Sequence, residues 1–237
     1  MGYRKLMPVL VLLLLFIGCD NFYMICSLNP FYTNEKIVLE PLLEGAWTAK
    51  PTRVDKDSTS SNSVIWGIAD TTSTWTIKRR IVKWVVKNKQ GEDSTTLKPE
   101  NYYIAKLSLN TDSVNYEFKV VLFRVKNHLY GDFVPSNKER LLKSKLAEHS
   151  FLEVHTLARI SLANNQMQVS WLGSDCMKEM IEKKRVRVKY HYVQDANRLM
   201  LTAGSDDLTR MIERYADQQR FIDWDKQQAK LNFNRIK

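Results

Sequence analysis

Apolar and polar residues alternate with a period of two along most of the chain, the pattern of strands that bury one face. Trp75, Ile77, Arg79 and Ile81 share one side of a long stretch. Val82, Trp84 and Val86 continue it on the opposite parity, which predicts a bulge or bend near Arg80. After a turn at Gln90–Asp93, Tyr103, Ala105, Leu107 and Leu109 mark the next face, closed by Asn110, Thr111 and Asp112. Val114, Tyr116, Phe118, Val120 and Leu122 alternate with Asn115, Glu117 and Lys119, and Leu129, Gly131 and Phe133 run to a stop at Pro135. Leu152–Leu162 and Met167–Trp171 predict two strands joined by an Asn164–Asn165 turn, and Val186, Val188, Tyr190 and Tyr192 predict another. Helical spacing is rarer. Leu141, Leu142 and Leu146 suggest a short helix over 137–148, and Met177, Met180 and Ile181 a second, capped by Ser174 and Asp175. Leu208, Met211, Ile212, Tyr215 and Ala216 give the clearest amphipathic face, with Ser205 as the cap and Asp206 and Asp207 in the first turn, where negative charge suits the helix dipole. About eight antiparallel strands with a C-terminal helix predict a mainly β fold, a meandering barrel wide enough to be filled by side chains or to hold one small ligand.

The amino terminus follows another pattern. Arg4 and Lys5 precede an apolar run from Leu6 to Ile17, interrupted by Pro8, and Gly18 and Cys19 follow. A charged start, about a dozen apolar residues and a small residue before a cysteine resemble a bacterial lipoprotein signal. The resemblance implies cleavage before Cys19, a diacylglycerol thioether on that residue, and residence on the cell envelope, at the outer membrane. An uncleaved anchor is the weaker alternative: a span needs roughly 20 apolar residues, and Asp20 beside Asn21 would cost about 2–3 kcal/mol within it. The predicted organisation is a signal at 1–18, a lipidated tether and entry segment at 19–43, and one domain at 44–237, the mature chain being short enough for a single core.

Charge and cysteine content are read in that setting. The formal net charge is +10, and it stays strongly positive once Arg4 and Lys5 leave with the signal. On an exported protein the counter-charge to expect is anionic lipid or polysaccharide, not nucleic acid. Basic residues cluster at Lys78–Lys83, Lys138–Lys145 and Lys183–Lys189; the plain reading is a wet face, and the sharper one is convergence on an anionic group. Cys26 and Cys176 can pair in an oxidising space or remain thiols.

Chemistry-bearing motifs are sparse. No His-Glu-x-x-His or Cys-x-x-Cys is present, so no metal is expected, and no cofactor motif is recognised. Ser170 and Ser174 lack the Gly-x-Ser-x-Gly elbow and read as structural, so the protein is not expected to be an enzyme. His155 has the parity of Glu153 and is expected to face solvent or a polar interior, as a surface or hydrogen-bonded structural residue. Aromatics make up 11% of residues, enough for Trp66, Trp75, Trp84, Tyr103, Tyr116, Phe118 and Trp171 to fill a barrel or line a ligand pocket.

Gly45, Ala46 and Trp47 match the Gly-x-Trp element that opens the first strand of lipocalins. That resemblance implies a structural Trp47 at the barrel floor, covered by a late arginine, with Arg185, Arg187 and Arg198 as candidates. With the Asn-Pro-x-Tyr-Thr segment at Asn29–Thr33 and Phe-Leu-x-Val-His-Thr at Phe151–Thr156, the whole chain resembles a group of bacterial envelope lipoproteins with a lipocalin-like domain and no assigned activity. The function to expect is a lipid-anchored envelope protein that binds a small apolar or anionic ligand, or another envelope component. Trp75, Trp84, Tyr103, Tyr116 and Trp171 are the ligand-lining candidates. The competing expectation is an accessory subunit that docks on an envelope protein partner.

Overall fold

The computed structural model describes residues 24–49, 73–87, 93–109, 115–136, 153–193, 198–219, 222–224 and 230–236. Cys19, the polar loop at 55–63, Trp66 and the helix expected over 137–148 lie outside them. The strands are β1 (Cys26–Ser27), β2 (Gly45–Ala49), β3 (Ser73–Lys87), β4 (Asp93–Leu109), β5 (Asn115–Val125), β6 (His128–Pro135), β7 (His155–Ala163), β8 (Gln166–Trp171), β9 (Tyr190–Val193), β10 (Arg198–Leu201) and β11 (Lys230–Arg235). The α-helices are α1 (Ser174–Glu182) and α2 (Ser205–Tyr215), and the entry segment adds single 3-10 turns at Asn34–Lys36 and Pro41–Leu43.

Eight strands close a lipocalin-like antiparallel barrel. β2 to β8 pair each with the next, and β11 joins β8 to β2. Period-two burial puts Trp75, Ile77, Tyr103, Ala105, Leu107, Phe118, Val120 and Leu122 inside. The register of β3 on β4 slips between Arg79 and Ile81, so the expected bulge is present. Asn164 and Asn165, at φ 45° and 63°, form the two-residue turn between β7 and β8 that such left-handed pairs favour.

Three features depart from the sequence pattern. The strand expected from Val186 begins only at Tyr190 and lies outside the barrel, paired with β10. Its place is taken by β11, whose Phe233 reaches the core. Neither helix is capped by its serine: Gly173 and Gly204 hold the N-cap positions in extended conformation, and Ser174 and Ser205 are already helical. From Met24 onward the segment expected as tether and entry is built into the fold, with Ile25, Ser27 and Phe31 fully buried. Its Cys26 and Ser27 pair antiparallel to β7 and parallel to β10.

A second apolar layer lies outside the barrel wall. Phe123, Val125, Tyr130 and Leu157 point outward from β5, β6 and β7 and are covered by Ile25 and Phe31, by Met177 and Met180 of α1, and by Leu208, Met211, Ile212 and Tyr215 of α2. These wall strands are therefore buried on both faces. Val120–Phe123, four apolar residues in a row, carry that double burial in the sequence.

Candidate functional site

The barrel floor is built by the Gly-x-Trp element. Gly45 adopts φ +140°, which side chains rarely tolerate, and the Arg235 guanidinium lies beside it, at van der Waals distance from where a Cβ would be. Trp47 Nε1 donates to Leu43 O at 2.9 Å. Arg235 stacks on the Trp47 ring with its guanidinium carbon 4.9 Å from the centroid, and Arg235 Nη2 donates to Leu42 O (2.7 Å) and Glu44 O (2.6 Å). The arginine that covers the floor is thus Arg235, not Arg185, Arg187 or Arg198. β11 alone brings an arginine into register with Trp47.

Above the floor the interior is packed with rings. Trp75 lies 5.2 Å from Phe233, 6.2 Å from both Phe133 and Trp171, and 6.4 Å from Phe118, measured between centroids. Trp75, Tyr103 and Trp171 are each 1% exposed, and Tyr116 is partly buried against the same cluster. Of Trp84 only the backbone is described. Tyr103 accepts the Glu40 amide on its hydroxyl at 2.8 Å, so it also secures the entry segment. Four of the five aromatic candidates therefore belong to one packed core. Trp75 Nε1 is buried without a hydrogen-bond partner among the described residues.

Of the two surroundings expected for His155 the structure shows the polar interior: it is a buried, hydrogen-bonded residue, because the entry segment lies over the outer face of β7. Its Nδ1 donates to Asp132 Oδ1 at 2.7 Å, and Asp132 Oδ2 accepts the Phe31 amide at 2.8 Å. Thr209 of α2 donates to Phe31 O at 3.2 Å, and Asn29 Nδ2 to Ala203 O at 2.9 Å. The two segments that carry the lipoprotein resemblance thus meet across Asp132. Burial, then the charges of Asp132 and Glu153, push the Tyr32 hydroxyl up to about 12. The arrangement is a clamp on the chain that follows Cys19. Ser170 and Ser174 are buried elsewhere in the fold, and Cys26 and Cys176 are not joined in a disulfide.

Two of the three basic clusters fall among the described residues. Lys78, Arg80 and Lys83 sit on the outer part of the β3–β4 hairpin. Lys184, Arg185 and Arg187 line one side of an open groove of about 580 Å³, and Arg210 and Arg214 of α2 line the other. The groove follows from the end of α1. Lys184 takes the left-handed conformation at φ 54°, and the Arg185 amide donates back to Met180 O at 2.9 Å, which turns the chain across α2. The Tyr215 hydroxyl donates to Arg185 O and pins the turn, while Val186 packs beneath. Residues 185–188 are thereby held off the sheet, which is why the expected strand starts late. Among the described residues Asp207 is the one acid in the lining, and it is bound to Arg210 at 2.7 Å. Five cations thus surround one acid in the groove, in a shape that admits an anion.

The cluster at Lys138–Lys145 lies outside the described residues. Among the described residues no helix is long and apolar enough to cross a membrane, and no group of three potential metal ligands is found. No protein-family model, curated protein or solved structure matches the chain.

Proposed function

We propose that the protein is an envelope lipoprotein, anchored through Cys19, whose barrel is a rigid platform for a surface groove that binds an anionic group. One observation carries this reading: Lys184, Arg185, Arg187, Arg210 and Arg214 converge on one groove in which Asp207 is the only acid among the described residues. Arginine forks suit phosphate and carboxylate oxygens, and the 184–187 turn and α2 present theirs from two sides. An apolar ligand inside the barrel is less favoured, since the rings around Trp75 occupy the axis. Binding, not catalysis, is the role, because the buried His155–Asp132 pair is committed to holding Phe31.

Titration of the detergent-solubilised protein with glycerol phosphate and with neutral glycerol tests the groove. Saturable binding of the phosphate ester, lost in Arg187→Gln/Arg214→Gln, is expected; equal behaviour of the two titrants rejects it. Incorporation of labelled palmitate into the wild type but not into Cys19→Ala tests the anchor.

A second reading, an accessory subunit docked on an envelope protein, is favoured by the β3–β4 hairpin. Beyond Arg79 and Tyr103 its strands pair with each other alone among the described strands, and Ile81 and Leu97 are 56% and 60% exposed. Ile81→Asp, releasing a co-purifying partner without changing the phosphate titration, would support it.

A further inference from the structure

We propose that the anion bound by the groove is the phosphate head group of the same leaflet that holds Cys19, so that the edge from Lys184 to His191, with the adjoining flank of α2, is a second, electrostatic membrane contact. This rests on the reading that Cys19 is acylated and that the groove takes anions.

Position is the first argument. Cys26 pairs with Met200, which pairs with His191; Ser27 pairs with Leu201, which pairs with Tyr190. Two strand spacings, about 10 Å, therefore separate the chain that leads back to the anchor from β9, the last strand of the described sheet. Cys19 precedes Cys26 by seven residues, a reach of at most about 25 Å. An acyl chain on that residue holds the β9 edge close to the bilayer. By contrast, the outer part of the β3–β4 hairpin starts beyond the barrel floor, where Gly45 pairs with Ile77.

Chemistry is the second. Arg187, Lys189 and His191 are exposed along this edge, continuing Lys184 and Arg185 of the groove, and Tyr190 is 48% exposed among them. Tyrosine is enriched at the head-group level of membranes, and basic residues are attracted to anionic leaflets. The nearby acids are largely engaged: Asp207 with Arg210, Glu213 with Lys36, and Glu179 with Lys183. A line of cations beside an exposed tyrosine on an open edge matches an extended array of phosphates better than one small soluble anion.

The acylated full-length protein, reconstituted into phosphatidylethanolamine vesicles with or without phosphatidylglycerol, supplies the test. Acetylation of Lys184 and Lys189 should slow about fivefold in the anionic vesicles, while Lys78 and Lys106 react equally in both. High salt should abolish the difference. Arg187→Gln/Arg214→Gln, checked for an unchanged near-ultraviolet tryptophan signal, should lose the protection at Lys189. Equal acetylation in the two vesicle types overturns the proposal. If glycerol phosphate still binds the solubilised protein, a soluble anion is the ligand; if neither vesicles nor phosphate ester engage the groove, the anion reading fails too. Absence of palmitate from Cys19 overturns the proposal at its anchor.

Discussion

The inner and outer cores are similar in apolar character but differ in what they join. The wall around the inner core is built largely from successive hairpins, β3 with β4, β4 with β5, β5 with β6 and β7 with β8. The outer core joins distant chain: Phe31 to Asp132 across 101 positions, and Thr209 to Phe31 across 178. Hairpin contacts require little loop closure and form readily, whereas the outer layer orders long intervening segments first. The barrel therefore acts as a scaffold, and the layer laid over it attaches the anchor segment and shapes the basic groove.

The contrast can be broken most severely from inside. Trp75→Ala removes the ring at the centre of the packed cluster and should cost about 3–5 kcal/mol, a large share of a typical domain's stability. Chemical denaturation should show one cooperative transition at much lower denaturant, with barrel and outer layer lost together. Asp132→Ala should cost about 2–4 kcal/mol by orphaning the Phe31 amide and the His155 ring. Here limited proteolysis is the informative measurement. Cleavage within 24–36 should precede cleavage in β3–β8, and simultaneous loss would mean that the two layers are not separable.

Legibility divides along the same line. Strand parity, the bulge after Arg79, the Asn164–Asn165 turn and the amphipathic face of α2 are local, and each is readable from spacing. β11 is harder, because Leu231 and Phe233 are its only apolar alternation, among Lys230, Asn232 and Asn234. Which arginine covers Trp47 depends on strand order, which period-two alternation does not encode. The buried state of His155 depends on a segment more than a hundred residues away. The groove was half visible: the run Lys183–Lys189 is plain, but its convergence with Arg210 and Arg214 needs the left-handed turn at Lys184.

Alkaline pH should probe the outer layer with a smaller effect. Burial pushes Tyr130 up to about 12, and Tyr32 stands at a similar value. The protonated hydroxyls are favoured in the fold, so their contribution is complete below the unfolded value near 10 and is lost as pH rises through about 12. Absorbance of tyrosinate should rise in that window together with loss of the native transition. Tyr130→Phe should move the onset upward, since it removes one titrating group and a buried hydroxyl that has no hydrogen-bond partner among the described residues.

The smallest change sharpens the comparison at the barrel floor. Arg235→Lys keeps the positive charge over Trp47 but gives up the planar fork whose Nη2 reaches both Leu42 O and Glu44 O. A lysine would retain part of the cation–π attraction, so the loss should be about 1 kcal/mol. Because Leu43 and Val38 pack on the inner core, this substitution should loosen the entry segment from the barrel side while the Asp132 clamp still holds it from the other. Hydrogen exchange should then quicken at Val38 and Leu43 and stay unchanged at Phe31. Faster exchange at Phe31 as well would show that the floor and the clamp behave as one unit.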